Sequence, residues 1–321
     1  MHSVPLSVLD RSRTRVGESE AETLRATVEL AQQVEELGYK RFWVSEHHSV
    51  PGVVGSAPTV LAAAVAARTD RIRVGTGGVM LPNHQPLVVA EQFGVLESLY
   101  PGRIDMGLGR SVGFTNGVRR ALGVSKDAAD EFATQVRELL DYLAGTSTDQ
   151  VHARPGEGLH IPPFILAVGE GATIAASLGL PVVLAARPDS ADLLKDYRST
   201  FRPSAWASEP YVILAVTAAV ADSTEAAREL LLPEAWASAY SRTRGVFPPL
   251  QPDVPDEMTA REQEFFENAL RGQIYGTPAE VDEALDNLVR RTAADELLIT
   301  TNTYDRAALL TTYAALAKLT G

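Results

Sequence analysis

Three ionisable residues, Glu46, His47 and His48, follow directly after a short apolar run at residues 42–44. The run has the composition of a buried strand, and a loop with proline and glycine comes after the histidines. Because neighbouring residues of an extended chain point to opposite sides, only one of the two histidines can face a site at the end of this strand. The alternation alone does not decide which histidine that is, but the one that faces the site could act as a general acid or base.

The alternative for this histidine pair is that both side chains are hydrogen-bonded packing residues. Their position at a strand end, together with a further histidine at His84 beyond the next strand, favours a functional site. A pair of histidines two residues apart, which would place two imidazoles on one face for a metal ion, is absent. A metal-dependent barrel hydrolase is therefore not favoured.

Nucleophiles other than histidine are scarce. The sequence contains no cysteine, which excludes disulfides, thiolate metal ligands and a cysteine nucleophile. None of the four lysines lies at the end of a predicted strand, so Schiff-base chemistry is also disfavoured. These lysines are Lys40, Lys126, Lys195 and Lys318.

A possible anion site combines Arg110 with the Gly169-Glu170-Gly171 stretch. Arg110 follows the predicted strand 103–108, and the glycine stretch leads into a predicted helix, whose free N–H groups favour an anion. Together these groups could bind a phosphate, Arg110 through its charge and the helix start through backbone donors. The alternative is that Arg110 forms an internal ion pair and that the glycines only turn the chain.

Gly77 and Gly78 interrupt the predicted strand at residues 72–81. Glycine weakens a strand and commonly marks the close approach of another group. A flat ligand lying across this point would need such clearance, and an unusual peptide bond is a second possibility. A plain β-bulge is the simplest explanation.

Strands and helices alternate along the chain. Capping boxes at Ser19 and Thr277 predict two of the helices. Eight βα units in a chain of 321 residues predict a single (β/α)₈ TIM barrel over residues 1–321, with an irregular, proline-rich insertion or lid at residues 242–275. A doubly wound sheet is the alternative, but the only similar glycine pattern lies in mid-chain and departs from the dinucleotide fingerprint by one residue. The eight predicted strands are at residues 4–9, 41–45, 72–81, 103–108, 163–168, 181–185, 211–220 and 296–300.

The composition is that of an ordinary globular protein, with 45% hydrophobic and 22% charged residues. The net charge of −12 argues against nucleic-acid and anionic-membrane partners. No apolar run approaches a membrane span of about 20 residues, and the N-terminal residues do not resemble a signal peptide. We therefore expect a cytoplasmic protein.

Several motifs, taken in order, resemble those of the bacterial-luciferase-like, flavin-dependent monooxygenases. The resemblance covers most of the chain and is strongest over residues 4–113. The motifs are residues 43–48 (WVSEHH), 74–86 (VGTGGVMLPNHQP), 90–92 (AEQ), 101–110 (PGRIDMGLGR) and 276–281 (GTPAEV). The resemblance implies a barrel, usually a homodimer, that binds reduced FMN at its C-terminal mouth and uses O₂ to oxidise a substrate.

The same resemblance assigns roles to individual residues. His47 matches the catalytic histidine beside the flavin, so we predict that His47 faces the site as a general acid or base and that His48 has a structural role. Gly77 and Gly78 match a pair whose peptide bond is often cis, and Arg110 matches a phosphate-binding arginine. Glu170 departs from the serine or threonine that is common in the family. The absence of cysteine, with Gly109 where luciferase has a cysteine, gives no support for light emission. The implied cofactor-binding residues are Thr76, Gly77, Gly78, Gly109, Arg110, Ser111, Gly169, Gly171 and Thr173.

Three functional hypotheses follow. The first is a two-component monooxygenase that receives reduced FMN from a separate flavin reductase and oxidises a small organic substrate. The second is a dehydrogenase of the same superfamily that uses the deazaflavin F420 for hydride transfer. The third is a flavin-binding barrel without turnover. The substrate is not defined by the sequence.

Overall fold

A parallel sheet closed into a barrel forms the centre of the molecule, as seen in a computed structural model that describes residues 4–147, 150–167 and 171–319. Its strands are hydrogen-bonded in the order β3-β2-β1-β11-β8-β7-β6-β5-β4, and a further pairing of β3 with β5 closes the ring. β3 and β4 together fill one position, so the barrel has eight positions. The predicted (β/α)₈ TIM barrel is confirmed.

The strands of the described residues are as follows: β1 Leu6–Asp10, β2 Arg41–Val44, β3 Arg73–Thr76, β4 Val79–Met80, β5 Ile104–Gly109, β6 Pro163–Ala167, β7 Val182–Ala185, β8 Val212–Val216, β9 Ala218–Val220, β10 Ile274–Gly276 and β11 Glu296–Ile299. The α-helices are α1 Glu20–Glu36, α2 Pro58–Ala66, α3 Pro86–Leu99, α4 Asn116–Leu122, α5 Phe132–Ala144, α6 Gly171–Leu178, α7 Ser190–Thr200, α8 Thr224–Arg244, α9 Ala260–Leu270, α10 Pro278–Thr292 and α11 Arg306–Ala317. None of these helices combines the length and the apolar character that crossing a membrane requires.

Capping interactions fix the helix starts that the sequence indicated. Ser19 accepts a hydrogen bond from the backbone of Glu22, whose carboxylate in turn accepts from the backbone of Ser19. Thr277 and Glu280 form the same reciprocal pair at the start of α10. Each pair satisfies backbone donors that the first helical turn leaves without partners.

Bulky side chains fill the barrel interior, as expected for a packed core rather than a pore. Trp43 and Phe164 meet edge to face, with ring centroids 5.1 Å apart. Val183, Ile213 and Leu298 complete this buried cluster. A larger apolar cluster lies between the strands and the surrounding helices.

An ion network closes the N-terminal end of the barrel. Arg41 lies between Asp105 and Glu296, with Nη1 2.7 Å from Asp105 Oδ2 and Nε 2.9 Å from Glu296 Oε1. Arg73 donates to the other oxygen of Asp105, and Tyr211 donates to Glu296. Both carboxylates are completely buried, so this network is a structural feature of the barrel base.

Two predicted strands are each divided into two. The run at 72–81 is broken by Gly77 and Gly78 into β3 and β4. The run at 211–220 becomes β8, which belongs to the barrel, and β9, which leaves it to pair with β10. In each of the two predicted strands, the apolar pattern did not show where the chain changes direction.

The irregular character predicted for residues 242–275 is only partly right. α8 continues through Pro233 to Arg244 and so extends into the start of this region. α9 and β10 occupy residues 260–276, so the irregular chain is restricted to a segment near 245–259. Pro233 removes one backbone donor, but burial of the helix on both sides of it keeps the helix intact.

Candidate functional site

The candidate site lies at one part of the barrel rim, where β2, β3, β4 and β5 end next to one another. Strand pairing places Val44 opposite Thr76 and Met80 opposite Gly109. His47, the Gly77–Gly78 peptide and Arg110 directly follow or join these strands. The structure thus brings together at one rim the groups that the sequence predicted from separate motifs.

His47 is held by contacts on several sides. Its Nδ1 lies 3.1 Å from the hydroxyl of Ser45, and its backbone N–H donates to the carbonyl of Gly55. The ring of Phe114, from the loop after β5, stacks on the imidazole with centroids 6.4 Å apart and an interplanar angle of 22°. The Phe114 ring is 67% exposed, so it forms an outer cover over a partly buried histidine.

The electrostatic surroundings keep His47 neutral. Burial, and then the positive charges of Arg11 and Arg13, lower the pKa of His47 to about 4. Glu46 acts in the opposite direction but is outweighed. At neutral pH the imidazole therefore offers one N–H donor and one acceptor nitrogen.

His48 and His84 make different contacts from His47. Both bond to the buried carboxylate of Glu46, at 2.7 Å for His48 and 2.9 Å for His84. Glu46 also accepts a hydrogen bond from the backbone of Met80. Burial alone would raise the pKa of Glu46, but these hydrogen bonds lower it. Glu46 therefore ties the end of β2 to β4, which agrees with the structural role predicted for His48.

The Gly77–Gly78 peptide bond is cis, as the family resemblance implied. A Cβ on Gly77 would lie 2.5 Å from Leu9 Cδ1, and one on Gly78 would lie 2.7 Å from the carbonyl oxygen of Gly107. Gly78 therefore requires glycine because a Cβ would overlap the backbone of β5, whereas at Gly77 the side chain of Leu9 would have to shift. Thr76 is fully buried, and its hydroxyl donates a hydrogen bond to the carbonyl of Gly107. This hydrogen bond connects β3 to β5.

Gly109 and the residues after it leave space and polar groups at the rim. A Cβ on Gly109 would meet only the Val79 carbonyl oxygen, at 3.8 Å. Arg110 is half-buried directly beyond β5. The side chains of Ser111 and Thr173 are exposed, and neither makes a hydrogen bond to the described part of the chain.

The start of α6 follows the strand that pairs with β5. β5 and β6 are paired, with Gly109 opposite Leu166, and α6 begins at Gly171 shortly after β6. The first N–H groups of a helix have no partner within the helix, so this end can receive an anion. Gly169 and Glu170 lie outside the described residues. The described groups, a guanidinium, two hydroxyls and a helix start, fit a phosphate.

Two arginines and a glutamate near His47 were missed by the sequence reasoning. Glu234 of α8 forms ion pairs with Arg11 and with Arg13, both in the loop after β1. Burial would raise the pKa of Glu234, but the two arginine charges lower it. The only sequence signal was the alternation of arginines at positions 11, 13 and 15 directly after the first strand.

Arg13 also anchors the irregular segment. It is 1% exposed, it lies over the ring of Phe247 at 4.2 Å, and it donates to the carbonyl of Pro248 at 3.2 Å. Its Nη2 atom is buried without a hydrogen-bond partner in the described chain. The segment near 245–259 is thereby attached to the barrel mouth.

A (β/α)₈ barrel with such groups at the carboxyl ends of its strands has the arrangement of barrel enzymes. A sequence profile of the luciferase-like monooxygenases matches residues 4–316. The chain belongs to this family. It is 41% identical to the Bacillus subtilis (strain 168) protein YvbT over 94% of this chain and 92% of that protein. It is 37% identical to a luciferase-like monooxygenase of Escherichia coli (strain K12), over 96% and 94% of the two chains.

Solved structures show the same fold. The structure of apo-MsnO8 is 30% identical, with a TM-score of 0.86 over 99% of this chain and 98% of that one. Two more distant structures share the fold alone. One is the oxygenating component of 3,6-diketocamphane monooxygenase from Pseudomonas putida in complex with FMN, with 18% identity and a TM-score of 0.71 over 98% of this chain and 97% of that one. The other is an F420-dependent secondary alcohol dehydrogenase, with 13% identity and a TM-score of 0.75 over 99% of both chains.

Proposed function

We propose that the protein is a monooxygenase that binds reduced FMN at the rim formed by β2 to β6 and uses O₂ to oxidise a small organic substrate. The observation that carries this proposal is the placement of His47 and Arg110 beyond the ends of β2 and β5, the two strands that flank the β3/β4 position with its Gly77–Gly78 peptide. When bound, reduced FMN supplies the electrons that activate O₂. The protein supplies binding groups, a proton-transfer group and cover from water.

Arg110 and the first turn of α6 hold the phosphate in this proposal. The guanidinium provides a permanent positive charge, and the N–H groups of Gly171 and Thr173 provide backbone donors. The hydroxyls of Ser111 and Thr173 complete the set. The open space at Gly109 lets the cofactor pass close to the backbone of β5.

His47 acts at the reacting end of the site. Its pKa of about 4 makes it neutral at pH 7, so it can accept a proton or donate a hydrogen bond from its N–H. The hydroxyl of Ser45, 3.1 Å from Nδ1, can donate to that nitrogen and leave the ring proton on Nε2. Phe114 limits access of water to the ring.

F420 is the alternative cofactor, supported by the fold shared with the F420-dependent alcohol dehydrogenase. Anaerobic titration of the protein with reduced FMN and with reduced F420, followed by absorbance, distinguishes the two. We expect micromolar binding of reduced FMN and, after mixing with O₂, oxygen uptake that depends on an added substrate such as an aldehyde. Failure to bind reduced FMN would overturn the proposal. Binding without any oxidised product would favour a flavin-binding protein without turnover.

A separate reductase supplies the reduced flavin in this proposal. The strands of the described chain belong to the barrel, apart from the small β9–β10 pair, and none of them forms a nicotinamide-binding unit. Oxygen uptake with NADH and FMN should therefore require an added flavin reductase. Uptake with NADH in the absence of a reductase would contradict the two-component proposal.

The proposed homodimer rests on an apolar surface of α2 and α3. Val60 of α2 is 69% exposed, and Leu99 of α3 is 63% exposed. Val88 and Val95 on α3 extend the same surface. Exposed apolar groups of this kind mark interaction surfaces. Light scattering after gel filtration should give twice the mass of the chain, and Val60→Glu should shift it towards the monomer.

A further inference from the structure

A second part of the barrel mouth is not used by the proposed flavin site. The ends of β7, β8 and β11, with α8, α9 and α10, enclose a cavity of about 950 Å³. This volume lies at the upper end of the range for small-molecule sites, about 300–1,000 Å³. Leu9 lines the cavity and also lies against Gly77, so the cavity adjoins the flavin rim directly.

The inner wall of the cavity is aliphatic. It is formed by small or branched side chains from the strand ends and from α8: Leu9, Ala185, Ala215, Val216, Leu231 and Ala235. Such a wall offers no hydrogen bonds, and it favours an alkyl chain or another apolar body. The apolar end of a bound ligand would therefore point towards the barrel axis.

The outer wall carries an excess of positive charge. Arg187, Arg271 and Arg291 line the cavity in addition to Arg11. Glu234 is the one carboxylate among the described lining residues, and its charge is already matched by Arg11 and Arg13. This local balance is opposite to the net charge of −12 of the chain.

Among the four arginines that line the large cavity, Arg271 and Arg291 have no partner in the described part of the chain. Both are exposed, and neither guanidinium makes an ion pair or a hydrogen bond with the described residues. By contrast, Arg290, the neighbour of Arg291 on α10, is 3.5 Å from Asp286 and does not line the cavity. Of these two neighbouring arginines on α10, the one that lines the cavity is thus the one without an internal partner.

A smaller cavity of about 470 Å³ continues this space between α8 and α9. Ser238, Asn268 and Gln273 line both cavities, so the two are contiguous. Arg242 adds a further cation to the smaller one. The smaller cavity therefore adds polar and cationic groups to the side of the space lined by α8 and α9.

We propose that this cavity is the substrate site and that it selects an organic anion with an apolar body, such as an alkyl carboxylate. Arg271 and Arg291 bind the carboxylate, and the aliphatic wall receives the chain, with its end directed to the Gly77 side. The proposal rests on the proposed function, because it places the substrate beside the flavin rim. It makes Arg271 and Arg291 residues that determine specificity.

Binding of alkyl carboxylates to the flavin-free protein tests the proposal independently of turnover. Octanoate and its neutral counterpart 1-octanol are titrated, by calorimetry or ligand-observed NMR, into the wild type, the Arg271→Gln/Arg291→Gln double variant and the Arg290→Gln control. We expect the double variant to weaken octanoate binding by about tenfold or more, equivalent to about 1.4 kcal/mol. Binding of 1-octanol, and binding by the control variant, should change less than about twofold.

Three outcomes would overturn the proposal. One is a wild type that binds no carboxylate in a series from butanoate to dodecanoate. Another is a double variant that binds octanoate as well as the wild type does. The last is a double variant that loses affinity for reduced FMN, because Arg271 and Arg291 would then bind the phosphate of the cofactor. A wild type that binds octanoate through these arginines but binds no flavin would contradict only the proposed function.

Discussion

Arg13 and Glu234 are joined across the barrel mouth, with Nε 2.8 Å from Oε2. Arg13 belongs to the loop after β1 and Glu234 to α8, so the ion pair connects residues 221 positions apart. On one side the pair adjoins His47, whose pKa is lowered by the arginine charge. On the other side Glu234 lines the large cavity. The pair therefore lies between the proposed flavin rim and the proposed substrate site.

Glu234→Gln should destabilise the fold. The substitution leaves Arg13, which is 1% exposed, without its anionic partner. Breaking a buried ion pair costs about 3–5 kcal/mol, and the partial exposure of Glu234 favours the lower end of that range, about 3 kcal/mol. Urea unfolding measures the free energy of unfolding. Glu229→Gln, at an exposed position of the same helix, is the matched control and should change it by less than about 0.5 kcal/mol. Equal stabilities of the two variants would contradict the importance of the pair.

Replacement by alanine should affect two glycines of β5 differently, one through stability and the other through FMN binding. A Cβ on Gly107 would overlap the carbonyl oxygen of Thr76, whereas one on Gly109 would meet only the Val79 carbonyl at 3.8 Å. Gly107→Ala should therefore lower the melting temperature by several degrees, since each 1 kcal/mol corresponds to about 2–4 °C in a protein of this size class. Gly109→Ala should leave the melting temperature unchanged and weaken binding of FMN. Unchanged FMN affinity in Gly109→Ala would argue against a cofactor beside β5.

The titration of His47 should be visible as a change in stability with pH. Its pKa is about 4 in the folded protein and 6.5 in the reference state. As the pH falls below about 6.5, the unfolded chain binds a proton that the folded chain does not, so stability decreases until about pH 4 and this contribution is then constant. The size is about 1.4 kcal/mol for each unit of pKa difference. His47→Gln should remove this part of the pH dependence, and NMR of the imidazole should give a midpoint near 4. A midpoint near 6.5 would show that His47 is neither buried nor affected by the arginines.

Replacement of the two adjacent histidines should separate catalysis from structure. His47→Gln should lower the rate of substrate oxidation by about 10² or more, the usual effect of removing a general acid or base, with little change in FMN affinity. His48→Gln should retain most of the rate, because His48 contacts Glu46 rather than the rim. Loss of an interaction with buried Glu46 should instead lower the melting temperature. Equal rates for His47→Gln and the wild type would eliminate His47 as the proton-transfer group.

The barrel and one side of its mouth could be predicted from local patterns. Apolar runs followed by helices predicted eight barrel positions, and the alternation of side chains in a strand separated His47 from His48. Neither argument required knowledge of distant contacts. Local patterns do not explain α8, where burial holds a helix together across Pro233, a residue type that normally ends a helix. At Gly77 and Gly78 the sequence indicated an interruption, but not that the predicted strand forms two separate strands.

The remainder of the mouth depends on long-range contacts. Nothing in the local sequence indicates that Arg13 pairs with Glu234 or that Phe114 covers His47. The large cavity is formed by α8, α9 and α10, and part of it comes from the region predicted to be irregular. Two exposed arginines such as Arg271 and Arg291 become informative only when folding places them on one cavity wall.

A crystal structure of the protein with bound FMN tests the central claim most directly. The proposal predicts the flavin ring against the Gly77–Gly78 peptide and next to His47, with the phosphate bound by Arg110 and the first turn of α6. Arg110→Gln should then lose occupancy under the same conditions. A flavin whose phosphate lies at Arg271 and Arg291, or a site between Gly77 and Arg110 that stays empty at saturating FMN, would contradict the account.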